Sequence, residues 1–301
     1  MNKTKKRLIS IVIAIILIAI VVYNIIPAKN PYQFQGNTLS YSENRGSISY
    51  EKTLKEEKDN FSIYNINFKT RPFLDKEARI YGLLFLPKNK KDIPAIIFLP
   101  AGGAGKESRI LLLTMLANKG YASLTIDQRG IGQTGGQYPS MEQDYQISTQ
   151  SEPIQHLSVY DALHSFDLLS DLNVIDKNNV IMMGESMGGR YALISTAIDK
   201  RIKGVITIST AGYHIDQSDP SPYTDYLVSI DPDHYINKIF PRNVIFFHGT
   251  NDSLISPNSA KQTFNLANQP KKFYLAEGCT HGYCDKMQSG LEESLKLIFG
   301  K

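Results

Sequence analysis

The chain has 301 residues, 42% hydrophobic and 21% charged, a balance that supports a sizeable buried core and excludes a disordered chain. Its net charge of +4 comes from one cluster, Lys3, Lys5, Lys6 and Arg7; without those four, 29 basic residues face 29 acidic ones. A neutral body with no basic stripe leaves no footprint for nucleic acid.

In chain order, the basic tip (1–7) precedes Leu8–Ile26, "LISIVIAIILIAIVVYNII", a run of 19 residues without an ionised side chain. As a helix it spans about 30 Å, the thickness of a bilayer core. It is longer than the core of a secretory signal, and no small-x-small cleavage site follows, so it reads as an uncleaved single-pass anchor rather than a cleaved signal. Basic residues stay cytoplasmic, which places the body outside. Residues 27–58 read as a stalk, with a short helix or strand near "SISYEKTL" as the exception.

From residue 59 onward a single domain begins. "FSIYNINFKT" and "ARIYGLLFLP" predict two antiparallel strands, because no helix separates them. Apolar runs then alternate with helical stretches: strands at 95–100, 122–127, 179–184, 204–210, 243–249 and 271–278, and a closing amphipathic helix in "SGLEESLKLIFG". Eight strands in this alternation predict an α/β architecture, a mostly parallel sheet with helices on both faces. Residues 211–242 interrupt it with a Pro-, Asp- and Tyr-rich insertion, read as a small cap.

The chemistry centres on "GESMGG". A strand pattern ends at Gly184, a helix pattern starts after Ser186, and Gly184 and Gly188 remove the Cβ atoms that a sharp strand-to-helix turn cannot hold. A serine needs a base, and the base an orienting acid. Of six histidines, His156 and His164 sit on a predicted helix, read as facing solvent or making helix contacts; His214 and His234 sit in or beside the cap, and His248 ends a strand, read as a core residue. His281, in a glycine-flanked loop after the last strand, is the candidate base, and Asp252, past the end of the preceding strand, the candidate acid.

The order Ser186, Asp252, His281 is that of the α/β-hydrolase triad. With "ARIYGLLFLP", "LTIDQRGIGQTGG" (similar to the family's D-x-R-G-x-G-x-S segment) and "VIFFHGTNDSLISPNSA", the chain resembles the α/β-hydrolase superfamily over about residues 60–301, nearest its carboxylesterase, dienelactone-hydrolase and prolyl-oligopeptidase-like branches. The resemblance implies an oxyanion hole of the Met187 N–H and a second amide from "LPAGGAGKES", either Ala101 or Gly102, since Pro100-Ala101 stands where many relatives have His-Gly. Glu185, Tyr213 and His214 are the expected substrate contacts.

"GIGQTG" (130–135) fits G-x-G-x-x-G, but "GQYPS" follows where a helix should begin, so no nucleotide is expected. Cys279 and Cys284 either close a small disulfide or are two small hydrophobes. No metal or other cofactor motif appears. The expectation is a membrane-anchored serine hydrolase of an ester, thioester or amide, an esterase rather than a peptidase, with an acyltransferase or a non-catalytic binding module as alternatives.

Overall fold

The computed structural model describes residues 32–35, 38–74 and 76–300; the expected anchor at 8–26 lies outside the described residues. No helix among those described is long and apolar enough to cross a membrane. The chain from Phe34 onward forms one compact unit.

Two short strands, β1 (Tyr32–Gln35) and β2 (Thr38–Tyr41), precede a nine-stranded sheet. Its first three strands, β3 (Tyr50–Glu57), β4 (Phe61–Phe73) and β5 (Lys76–Pro87), form a meander with β4 antiparallel to each of the other two. The sequence pattern leads to eight strands; the ninth is β3, from the expected stalk. Seven of its eight residues are exposed, so as an edge strand it carries no apolar alternation to read.

The remaining strands alternate with helices: β6 (Ile93–Leu99), α1 (Ile110–Asn118), β7 (Ala122–Ile126), α2 (Met141–Ser148), α3 (Ile154–Asp171), β8 (Ile175–Glu185), α4 (Met187–Ile198) and β9 (Gly204–Ile208). Then come α5 (Pro222–Ser229), β10 (Asn243–Gly249), α6 (Pro257–Asn265), β11 (Lys271–Ala276) and α7 (Gln288–Phe299). Every residue of β6, β7 and β9 is buried, as strands covered on both faces require. One face packs Phe85, Phe98, Met183 and Phe247 against Leu113 of α1 and Leu295 of α7.

The strand order is β11-β10-β9-β8-β6-β7-β5-β4-β3. The chain runs from β6 outward to β7, then back across β6 to β8, and continues away through β9, β10 and β11. That reversal, between β6 and β8, opens a crevice at the strands' carboxyl ends, where ligands bind in open α/β sheets.

Of the two readings for the histidines of helix α3, solvent exposure or helix contacts, the second holds. The helix is buried nearly all round, and His156 and His164 lie inside, at 0% and 5% exposure, rather than facing solvent. His156 Nε2 is 2.6 Å from Ser229 Oγ, and burial pushes the imidazole down to about 3, so it stays neutral. On the same helix Asp161 accepts two bonds from the Arg129 guanidinium, at 2.6 and 3.0 Å. Two of the polar residues that hide its apolar face in the sequence, His156 and Asp161, are thus paired inside.

Residues 211–242 fold into α5 and two short 3-10 turns. Tyr226 is fully buried, its hydroxyl donating to Asp144 Oδ2 at 2.7 Å, while Tyr145 packs edge-on to Tyr223. These tyrosines hold the insertion closed on α2.

Candidate active site

Ser186 sits at the switch point, between the end of β8 and the start of α4, with φ +54° and ψ −118°. Such a backbone is costly for a residue with a Cβ and persists only where its surroundings enforce it. They do so here by exclusion: a Cβ at Gly184 would overlap Gly188 O, one at Gly188 would overlap the Leu99 and Pro100 carbonyls, and one at Gly189 would overlap Thr210 Oγ1. The Ser186 N–H donates to Ile208 O at 2.9 Å, which ties the turn to β9. The Ser186 side chain caps no helix N–H, and among the described residues it makes no hydrogen bond.

The neighbouring strands each deliver one group. After β9 comes Ser209, after β10 Asp252, after β11 His281. His281 Nδ1 lies 2.9 and 3.0 Å from the two Asp252 carboxylate oxygens. A carboxylate only accepts, so Nδ1 carries a proton, and among the described residues Nε2 has no hydrogen-bond partner. Asp252 is buried; burial works against its charge, but the Ile255 N–H, His281 and Ser209 hold it below the usual carboxylate range. His248, which the sequence reading puts in the core, is fully buried there, its Nε2 2.8 Å from Ile255 O and 3.2 Å from Asp252 Oδ2. It backs the acid from behind, and burial keeps it neutral.

The base's loop is joined to the serine's turn through Glu185. Its carboxylate accepts from Arg109 Nε at 2.8 Å, from Arg109 Nη2 at 2.6 Å and from the Tyr283 N–H at 3.1 Å. The Gly282 N–H donates to Ser209 Oγ at 2.9 Å, and a Cβ on Gly282 would crowd Arg109 and Glu185. A disulfide, Cys279–Cys284, closes the loop around His281 and answers the question the spacing leaves open.

On the other flank, the loop after β6 runs beside Met187: a Cβ on Gly102 would sit 3.5 Å from the Met187 sulfur. Met187 opens α4, so its N–H has no intrahelical acceptor. Neither Ala101 nor Gly102 donates its N–H to another described group. Buried Lys106 fixes the loop, its N–H and Nζ reaching Asp127 at 2.8 and 2.7 Å, and Gln128 Nε2 donates to Pro100 O at 2.5 Å. Asp127 and Gln128 belong to the "DQRG" segment, and a Cβ at Gly132 would overlap Asp127, so the "GIGQTG" loop folds back on that carboxylate. The next helix starts only at Met141.

The expected substrate contacts are placed differently. Glu185 is 5% exposed with its carboxylate committed to Arg109 and Tyr283, so it ties loops together instead of meeting solvent. Tyr213 is stacked under the Arg190 guanidinium at 4.1 Å and accepts from its Nη1 at 3.0 Å, on the first turn of α4. His214 turns to Asp233 and Ser259. Sequence reasoning missed Arg109, Lys106 and Ser209. Their partners are distant in sequence, and only the adjacency of "DQRG" and "AGGAGK" to the predicted strand ends carries a signal for Lys106.

Sheet order, elbow and the crevice at the switch point define an α/β-hydrolase fold. The acetyl xylan esterase (AXE1) family model matches residues 43–210, more than half of the chain, and the chain belongs to that family. The match includes the elbow and the loop after β6 but ends before Asp252 and His281. Acetyl esterase Axe7A of Xylanibacter ruminicola is 23% identical over 81% of this chain, which spans 62% of that relative's length. Among solved structures, an acetyl xylan esterase from Paenibacillus sp. R4 shares the fold at TM-score 0.71 and 17% identity, covering 85% of this chain and 90% of its own. A glucuronoyl esterase from Solibacter usitatus shares it at TM-score 0.62 and 15% identity, over 84% and 87%.

Proposed function

We propose that the protein is a membrane-tethered serine esterase that removes small acyl groups, acetyl foremost, from the hydroxyls of a carbohydrate. Ser186 attacks the ester carbonyl while His281 Nε2 takes its proton; Asp252 holds the imidazole by Nδ1 and stabilises the imidazolium. The developing oxyanion meets the Met187 amide and that of Ala101 or Gly102. Collapse expels the sugar oxygen, which leaves with the proton from His281, and water then releases the acid by the reverse sequence.

The observation that carries this reading is the double contact of His281 Nδ1 with Asp252, with Nε2 unengaged, in a loop bonded through Glu185 to the residue beside Ser186. The acetyl and carbohydrate parts are supported by family membership and by the names of the relatives. The tether is supported by the uncharged run at 8–26 behind its basic tip. The Cys279–Cys284 disulfide fits a body held in an oxidising exterior.

The test is turnover by the full chain in detergent, on acetylated xylo-oligosaccharides, on p-nitrophenyl acetate, butyrate and octanoate, and on an aminoacyl p-nitroanilide. Acetyl release that disappears in Ser186→Ala supports the reading. Acetyl release from the xylo-oligosaccharides that survives in Ser186→Ala removes the nucleophile, and preference for octanoate or the anilide removes the substrate class.

A further inference from the structure

A second serine, histidine and aspartate converge outside the crevice. His214 Nδ1 is 2.6 Å from Asp233 Oδ2, and His214 Nε2 is 2.8 Å from Ser259 Oγ. The carboxylate only accepts, so Nδ1 carries a proton, and in the neutral ring that tautomer leaves Nε2 to accept from the Ser259 hydroxyl. Tautomer and direction are those a general base needs to activate a serine. The geometry points to Ser259, His214 and Asp233 as a second nucleophile–base–acid relay, able to take small acyl groups from activated esters independently of Ser186.

The three residues come from separate segments: His214 from the loop after β9, Asp233 from the turn after α5, Ser259 from the first turn of α6. The loop that carries His214 is held tightly. Gly212 N donates to Thr263 Oγ1 at 2.7 Å, and the Tyr213 and Ile215 amides donate to the Asp231 carboxylate at 3.0 and 3.1 Å. His214 itself has φ +54°, a conformation that costs energy in a residue with a Cβ and that fixes where the ring points.

Burial is graded as a relay requires. The Asp233 side chain is 8% exposed and the His214 ring 30%, with Ser259 half-buried at the open end. Among the described residues the Ser259 hydroxyl has no other hydrogen-bond partner, and the N-terminus of α6 favours the negative charge that develops as its proton leaves. No glycine elbow holds Ser259, so acylation there is expected to be slower than at a preorganised site.

In the proposed step Ser259 Oγ forms a bond to the acyl carbon and the ester C–O bond breaks. The hydroxyl proton passes through His214 Nε2 to the departing oxygen. Water, activated in the same way, later cleaves the acyl-serine to a carboxylic acid.

The experiment uses the full chain carrying Ser186→Ala, so its outcome does not depend on the role of Ser186. The protein is incubated with p-nitrophenyl acetate, and acetylated peptides are mapped against time. We expect acetyl on Ser259, forming at least about tenfold faster than when His214→Asn is added, because general-base assistance contributes at least that much. Asparagine tolerates the left-handed backbone at position 214 but takes no proton. Asp233→Asn, which disturbs the tautomer without touching the serine or the ring, is expected to slow acetylation as well. Acetylation of Ser259 no faster than of its neighbours Ser253 and Ser256, or a rate unchanged by both His214→Asn and Asp233→Asn, overturns the proposal.

Discussion

Glu185→Gln is the most informative single change near the serine, because it keeps the side chain's shape and removes its charge. The carboxylate now satisfies three donors, two on Arg109 and the Tyr283 N–H. Arg109 Nε and the Tyr283 N–H share Oε2 while Arg109 Nη2 takes Oε1, so the single glutamine oxygen serves one of these positions and the new NH2 group faces a donor at the other, which weakens the link between Arg109 and the His281 loop. Breaking a fully buried pair costs about 3–5 kcal/mol. The Glu185 side chain is 6% exposed but that of Arg109 is 30%, so water recovers part of the loss. We therefore expect about 2 kcal/mol from stability, below the fully buried range. Urea unfolding of the wild type, Glu185→Gln, Arg109→Met and the double variant reads the coupling, expected at about 1–2 kcal/mol for residues in one network. On p-nitrophenyl acetate kcat/KM should fall about tenfold, roughly 1.4 kcal/mol in the barrier, as the His281 loop loses its tether. Additive losses in the cycle, or lost stability with kcat/KM unchanged, would refute the claim that this pair positions the loop.

Other changes probe other parts. Asp252→Asn should leave the fold intact and lower kcat by about 10⁴-fold by misdirecting the His281 tautomer, read from steady-state rates; a loss under tenfold contradicts the assigned role. Gly188→Ala puts a Cβ into the Leu99 and Pro100 carbonyls, and should cost about 1–3 kcal/mol by thermal or urea unfolding, together with the elbow's reactivity. Replacing both Cys279 and Cys284 with serine opens the loop around His281; on loop-closure entropy we expect about 2 kcal/mol less stability, and unaltered unfolding would contradict it. Removing residues 1–30 should move the protein from the membrane to the soluble fraction, and retention on the membrane would contradict the tether.

The part of the fold that positions the site was legible because parallel strands buried on both faces are unbroken apolar runs, as in β6 and β9. "GESMGG" was legible for a related reason, since glycines crowded between strand and helix admit no substitute. The pairing of Asp252 with His281 could be anticipated because each follows one of two adjacent parallel strands, β10 and β11. What escaped lacks a local signature. Strand β3 was legible only as a short helix or strand near "SISYEKTL", because it exposes nearly every side chain and has no alternation that would choose between the two. Helix α3 buries histidines and carboxylates whose partners, such as Ser229 and Arg129, lie far along the chain. Glu185 was expected to meet substrate because it adjoins the serine, yet its partner Arg109 is 76 residues away and only the folded chain brings the charges together.

The account stands on the Ser186 hydroxyl being activated by the His281 imidazole. Labelling the full chain with a fluorophosphonate, digesting it and sequencing the modified peptide tests that directly. The fastest-forming adduct is expected on Ser186, ahead of any slower one on Ser259; it disappears in Ser186→Ala and forms at least about a hundredfold more slowly in His281→Ala. An adduct on Ser186 that forms at the wild-type rate without His281, or no adduct on Ser186 in the folded wild-type protein, would contradict it.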